Sequence, residues 1–152
     1  SELAVGYCTL YGDMNGGLSV IGDLYKTSVF ELCDWIDSEA SSNCRNDFFL
    51  PEKGEIIGSI IRNKPPSAEL RPEQLDSDSL PDYFILDPIL KGLIDEHLPP
   101  KVLIEKGFDQ KIVNRIANLL KNAEFKRYQA PPLLKISNQA FGSGWKRPIA
   151  SR

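Results

Sequence analysis

The sequence predicts a mostly helical globular domain, and three observations carry that expectation. Apolar residues recur at helical spacing in several separate stretches. Strand-like alternation is scarce. Clusters rich in Gly and Pro at 12–22, 64–72, 99–100, 131–132 and 142–148 cut the chain into segments of helix length. The composition agrees. Hydrophobic residues make up 41% and charged residues 26% of 152 residues, as in a folded domain rather than a disordered or fibrous chain. The length suits one domain, 1–152.

The elements follow in order. Tyr25, Val29, Leu32, Cys33 and Ile36 place one face of an amphipathic helix on 25–38. Ile56, Ile57, Ile60 and Ile61 predict a shorter helix near 51–62. The stretch 64–79 is Pro-rich, acidic and expected to be irregular. Leu86, Leu90, Leu93, Ile94 and His97 form a third stripe, which starts in one of two ways. Either Asp87 caps a helix with Pro88 at its first position, or a kinked helix begins near Pro81. On that stripe, His97 reads as a packed or capping residue rather than a catalytic one. A short helix over 100–106 ends at Gly107. Asp109 then caps the clearest helix, whose buried face is Ile112, Val113, Ile116, Leu119, Leu120 and Ala123. Only 133–137 and parts of 18–21 read as strand. Trp35 and Trp145 read as packing residues.

Several function classes are excluded early. The longest apolar run is far below the roughly 18 residues of a membrane span, and the first residues do not form a secretory signal, so a cytoplasmic location is expected. Cys8, Cys33 and Cys44 are odd in number and form no C-x-x-C pair, which argues against a disulfide framework or a zinc site. One histidine cannot make a histidine-rich metal site. The net charge of −3 hides an asymmetry: residues 1–100 carry 7 Lys/Arg against 18 Asp/Glu, and residues 101–152 carry 11 against 3. A basic last third suits an anionic ligand, or a solvated face paired with the acidic remainder.

Three segments carry chemistry. In SELAVGYCTLYGD, residues 1–13, Glu2 stands near the start of a short helix, where a carboxylate can hold a metal or accept hydrogen bonds from a ligand. Lys26 opens the next helix, whose first N–H groups favour an anion such as phosphate. The plainer reading is turn glycines and a solvent-facing lysine. In KPPSAELRPEQLDSDSLP, residues 64–81, two prolines stiffen a loop that presents Ser67, Glu69 and Arg71; by composition alone it is a surface linker. In EFKRYQAPP, residues 124–132, Lys126 and Arg127 follow a helix between Phe125 and Tyr128, a pattern suited to phosphate and a stacked ring, or to cations at a helix C-terminus.

In this order, SELAVGYCTLYGD, the helix-opening lysine, KPPSAELRP with DSDSLP, and EFKRYQAPP resemble the NAD+ synthetases over nearly the whole chain. The later AFGSGWKRPIA is similar to the tail of the bacterial glutamine-dependent members. The resemblance implies an α/β, Rossmann-like domain of the ATP-pyrophosphatase (adenine nucleotide alpha hydrolase) type, of which this chain is the C-terminal, mostly helical part. It implies a ligase that uses ATP to adenylate the nicotinate carboxylate of deamido-NAD+ and lets ammonia, from glutamine or free, displace AMP. Mg2+ is the implied cofactor. Carried over by motif, Glu2 is implied as the metal ligand, lying also against deamido-NAD+. Tyr7, Cys8, Thr9 and Leu10 are implied to line that substrate's site, and Lys126 and Arg127 to close on it from a mobile loop. Lys26 and Ser67 are implied to contact ATP. Leu10 and Gly17 stand where shorter ammonia-dependent members have lysine and aspartate, which favours the glutamine-dependent branch.

The family's SGGxDS loop and its amidase residues are absent from the sequence. The chain is therefore expected to be a fragment, inactive alone, whose partners are the upstream half of the enzyme and further copies in at least a dimer. Neither nucleic acid nor membrane is expected as a partner. Two other readings compete: a non-catalytic binding module with a basic last third, and another amidating ligase of the same type, such as a GMP synthetase.

Overall fold

In the computed structural model, which describes residues 1–148, the chain is helical and forms two compact units. The first comprises Ser1–Tyr25 and Leu80–Arg152, the second Lys26–Ser79. The family-like tail motif AFGSGWKRPIA runs past the described residues at 149–150.

The first unit is built around α7 (Gln110–Asn122), which packs against α1 (Glu2–Val5), α5 (Tyr83–Ile94), α6 (Pro100–Glu105) and α8 (Glu124–Gln129). Asp109 caps α7 as expected, its carboxylate accepting from the Ile112 N–H at 2.9 Å. Val113, Ile116 and Leu120 of α7 bury against Leu86, Ile89 and Leu90 of α5 and Leu103 of α6, closing one apolar core. Each such side chain contributes about 1.5–3 kcal/mol by leaving water. At the end of α6, the Gly107 N–H bonds to the Ile104 carbonyl and the Phe108 N–H to the Leu103 carbonyl. This is a Schellman closure with Gly107 at φ 102.

Helix α5 starts neither at Asp87 nor with Pro88 in its first turn. Asp82, just after Pro81, caps it by accepting from the Phe84 N–H at 2.8 Å. Pro88 lies inside the helix, where it lacks the N–H that would reach back one turn. Asp87 is fully buried and accepts from the Ser1 hydroxyl at 2.5 Å. His97 is not on the buried stripe either. Beyond α5 it takes a left-handed conformation (φ 53) and is exposed, and the next N–H, of Leu98, returns to the Gly92 carbonyl. The two expected strands reduce to a single parallel bridge, Ser19 to Leu133. The backbone of 136–137 is held instead by Asp23, which accepts from the N–H groups of Ile136 and Ser137.

Gly6 ends α1 with φ 72, and a Cβ there would stand 2.8 Å from the Ala123 Cβ. The left-handed turn and the close approach of α1 to the α7–α8 junction both require glycine. Gly6→Ala therefore costs about 1–3 kcal/mol in a urea titration.

The second unit has a different physics. Among its residues none of the apolar side chains is buried; only Ser41, Arg45 and Asp76 are. Helix α2 (Lys26–Asp37) forms as the periodicity predicts. The unit adds a 3-10 turn Glu39–Ser41, α3 (Ser42–Asp47) and α4 (Ser59–Arg62). The helix expected over 51–62 survives only as α4. Pro51 and two left-handed glycines, Gly54 and Gly58 (both φ 88), interrupt it. The N–H groups of Ile56, Ile57 and Gly58 go to the Asp37 carboxylate at 2.7, 2.9 and 2.9 Å. Ile60 is left 87% exposed. The buried Arg45 takes the place of an apolar core. Its Nε donates to the Ile36 carbonyl at the end of α2, and its Nη1 donates to the Gly54 carbonyl, both at 2.8 Å.

Candidate functional site

Seven of the sequence-derived residues lie in the first unit, on the strip that runs from α1 through residue 10 and on α8. Glu2 occupies the first turn of α1, and its carbonyl accepts from the Tyr7 N–H at 2.9 Å. This folds residues 6–8 back over the helix. Lys126 and Arg127 lie not on a loop but on a helix of their own, α8, which follows α7 after Ala123.

From α8 the Lys126 ammonium donates to the carbonyls of Gly6 (2.6 Å) and Cys8 (2.9 Å). Arg127 is only 8% exposed and is bound on all sides by protein groups. Its Nη1 donates to the Ala4 carbonyl, and its Nη2 to Leu120 and Glu124. Burial pulls the guanidinium below its ordinary value while Glu124 opposes the shift. Thr9 donates from both N–H (2.8 Å) and hydroxyl (3.1 Å) to the Asp13 carboxylate, closing the loop that exposes Leu10 and Tyr11. The Cys8 thiol lies 3.4 Å from the Met14 sulfur. Burial raises its pKa despite the nearby Lys126 ammonium.

The other two residues lie in the second unit and meet there. Lys26, at the start of α2, and Ser67 line one pocket of about 290 Å³ with Val29, Phe30, Cys33 and Asp34. The loop carrying Ser67 is folded on itself: the Ser67 hydroxyl accepts from the Glu69 N–H at 3.1 Å and donates to the Gln74 carbonyl. Glu69 pairs with Lys64, and Arg71 with Asp78 at 3.2 Å. The linker-like composition of 64–79 therefore hides a loop with fixed internal bonds.

Arg62 sits beside this pocket as the hub of three carboxylates, Asp34, Asp37 and Glu55, at 3.0, 3.0 and 2.7 Å. Burial works to raise the Asp37 carboxyl. The N–H groups of Ile57, Ile56 and Gly58, with Arg62, outweigh burial and hold the carboxyl below its ordinary value. The folded state thus binds fewer protons than the unfolded state. Asp37 contributes stability above the ordinary carboxylate range, and that contribution is lost as pH falls through the lower folded-state value. The protection of the Ile56–Gly58 amides against hydrogen exchange, taken relative to the intrinsic rate at each pH, is expected to fall in that acidic window, and Asp37→Asn to weaken the dependence.

Sequence reasoning missed Glu124, Asp13, Asp37 and Arg62. The i, i+3 spacing of Glu124 and Arg127 was a legible signal of the first; Asp13 and Asp37 act through loop backbone and Arg62 through carboxylates far along the chain, which spacing does not reveal.

A family model described as NAD synthase matches residues 1–130. The glutamine-dependent NAD(+) synthetase of Synechocystis sp. is 51% identical over 150 residues, which is 99% of this chain and 24% of that protein. The glutamine-dependent NAD(+) synthetase of Thermotoga maritima is 45% identical over 152 residues, 100% of this chain and 24% of that protein. A solved structure of the Acinetobacter baumannii glutamine-dependent NAD+ synthetase, in complex with ADP, is 36% identical with a TM-score of 0.46, covering 97% of this chain and 23% of that one. The chain spans about a quarter of the length of the curated relatives it matches. The chain belongs to the NAD synthase family.

Proposed function

We propose that this chain is the C-terminal part of the synthetase region of a glutamine-dependent NAD+ synthetase, a cytoplasmic ligase with a Rossmann-like ATP-pyrophosphatase fold. The 51% identity along 99% of the chain to a protein of that name carries the reading. In this reaction an oxygen of the nicotinate carboxylate of deamido-NAD+ attacks the α-phosphorus of ATP, and pyrophosphate leaves. Ammonia then attacks the activated carbonyl, AMP leaves, and the amide of NAD+ remains. A carboxylate is a poor electrophile, and the adenylate supplies its leaving group.

The residues divide by substrate. The strip with Tyr7, Cys8, Thr9 and Leu10, faced by Lys126 and braced by Arg127, lines the deamido-NAD+ site. Lys26, at a helix N-terminus, and the Ser67 hydroxyl, in the same pocket, meet the phosphates of ATP. The described residues contain no cluster of three or more His, Cys, Asp or Glu placed to hold a metal. One carboxylate suffices for Mg2+, which takes one or two carboxylates and fills its shell with phosphate oxygens and water. Glu2 would hold it, and the ion would offset phosphate charge.

Exposed aromatic and aliphatic side chains such as Phe49 (98%) and Ile60 (87%) suit contacts with the upstream half of the enzyme or a second copy. The test is conversion of deamido-NAD+ to NAD+ by the natural polypeptide that carries these residues. Product is expected only with ATP and either glutamine or ammonia, and none from the 152-residue chain alone. ATP-dependent product with xanthylate but not with deamido-NAD+ would overturn the assignment.

A further inference from the structure

We propose that Glu124 is a positioning residue for the deamido-NAD+ site, acting through Arg127. The proposal rests on the function proposed above. Glu124 is 3% exposed and Arg127 8%. A single carboxylate oxygen, Oε2, accepts from the Arg127 Nε at 3.1 Å and Nη2 at 2.7 Å. That contact turns the rest of the guanidinium fork toward two helix ends. Nη1 donates to the Ala4 carbonyl of α1 and Nη2 to the Leu120 carbonyl of α7, both at 2.5 Å. The Phe141 and Trp145 rings, edge-to-face with centroids 5.5 Å apart, lie 5.2 and 5.1 Å from the same guanidinium.

Lys126, one residue earlier on α8, donates to the Gly6 and Cys8 carbonyls. Two consecutive residues of α8 thus hold the carbonyls of Ala4, Gly6 and Cys8, which are alternate residues along one strip. This strip begins at Glu2 and ends at Leu10. An apolar pair of similar volume would fill the space as stably, because a buried ion pair gains little over such a pair. The charged pair adds direction: it fixes the placement of α8 against the strip. Glu124 touches no substrate in this scheme. It sets where Glu2 and Lys126 stand.

The experiment uses the natural polypeptide carrying these residues, with Glu124→Ala, Glu124→Gln, Arg127→Lys and Lys126→Ala. The readouts are kcat, the KM for deamido-NAD+ and the KM for ATP, with circular dichroism reporting the folded fraction. Misplacing a binding group by an ångström costs up to about a hundredfold, so Glu124→Ala is expected to raise the KM for deamido-NAD+ at least about tenfold while the KM for ATP stays within about twofold. Glu124→Gln keeps an oxygen for the guanidinium and recovers most of the loss. Arg127→Lys lacks the fork and behaves like Glu124→Ala. Where Glu124→Ala does not fold, the contrast between Glu124→Gln and Arg127→Lys decides.

Equal movement of both KM values in step with unfolding, or no movement in any Glu124 or Arg127 variant, overturns the proposal. Lys126→Ala separates the two readings. If it raises the KM for deamido-NAD+ while the Glu124 and Arg127 variants do not, only the positioning role falls. If Lys126→Ala also leaves that KM unchanged, the substrate site itself is misassigned.

Discussion

Replacing Arg127 by Met is expected to destabilise the unit of Ser1–Tyr25 and Leu80–Arg152 by about 3–5 kcal/mol, read as a shift of the urea midpoint at unchanged slope. The substitution conserves bulk and removes four donated hydrogen bonds. It also strands Glu124, whose side chain is 4% exposed, with no cation beside it. The stranded charge dominates the loss, which the double variant tests. Glu124→Leu in the Arg127→Met background is expected to recover most of the stability, since an apolar pair in the same volume matches a buried ion pair. A double variant as unstable as the single one would mean that the Ala4 and Leu120 carbonyls, not the carboxylate, carry the cost.

Arg45→Ala is expected to open the unit Lys26–Ser79 locally, at a cost of about 2–4 kcal/mol, from charge-assisted bonds of about 1.5–3 kcal/mol each offset by partial hydration of the freed carbonyls. The reason is the composition of that unit's interior. None of its apolar side chains is fully buried, and Arg45 ties the end of α2 to the 51–54 loop through Ile36, Pro51 and Gly54. Hydrogen exchange is the discriminating probe. Amides of α2 and of 56–63 should lose protection while those of α5 and α7 keep theirs. A uniform loss across both units would contradict this account of a polar-held second unit.

How much of this was legible depends on which force shapes each segment. The helices α6 and α7 were predictable because burial of one face or a strong cap sets them, and both leave periodic or positional marks such as Asp109 and Gly107; α2 was legible from its amphipathic spacing although none of its residues is fully buried. The start of α5 was ambiguous because the sequence allowed either an Asp87 cap with Pro88 first or a kinked helix from near Pro81, and the fold decides: Asp82 caps the helix and Asp87 is buried beside Ser1. Segments shaped by side chain-to-backbone bonds were opaque. The 51–62 stretch has a helical stripe of isoleucines, yet Asp37, some twenty residues earlier, takes its N–H groups. The resemblance placed Lys126 and Arg127 of EFKRYQ on a mobile loop, but both are tied to carbonyls more than a hundred residues away.

For the site, the residue types and their family roles came from motifs. That Lys26 and Ser67 share a pocket, and that Lys126 faces residues 6–8, required the fold.

The central claim is that one set of residues serves deamido-NAD+ and another serves ATP. The most direct test is the crossed effect of two lysine substitutions on the two KM values in the natural polypeptide. A charge-assisted bond to phosphate contributes about 1.5–3 kcal/mol, or roughly 10- to 150-fold. Lys26→Ala is therefore expected to raise the KM for ATP by about tenfold or more with little change for deamido-NAD+. Lys126→Ala is expected to do the reverse. Both substitutions moving the same KM, or neither moving either, would contradict the assignment.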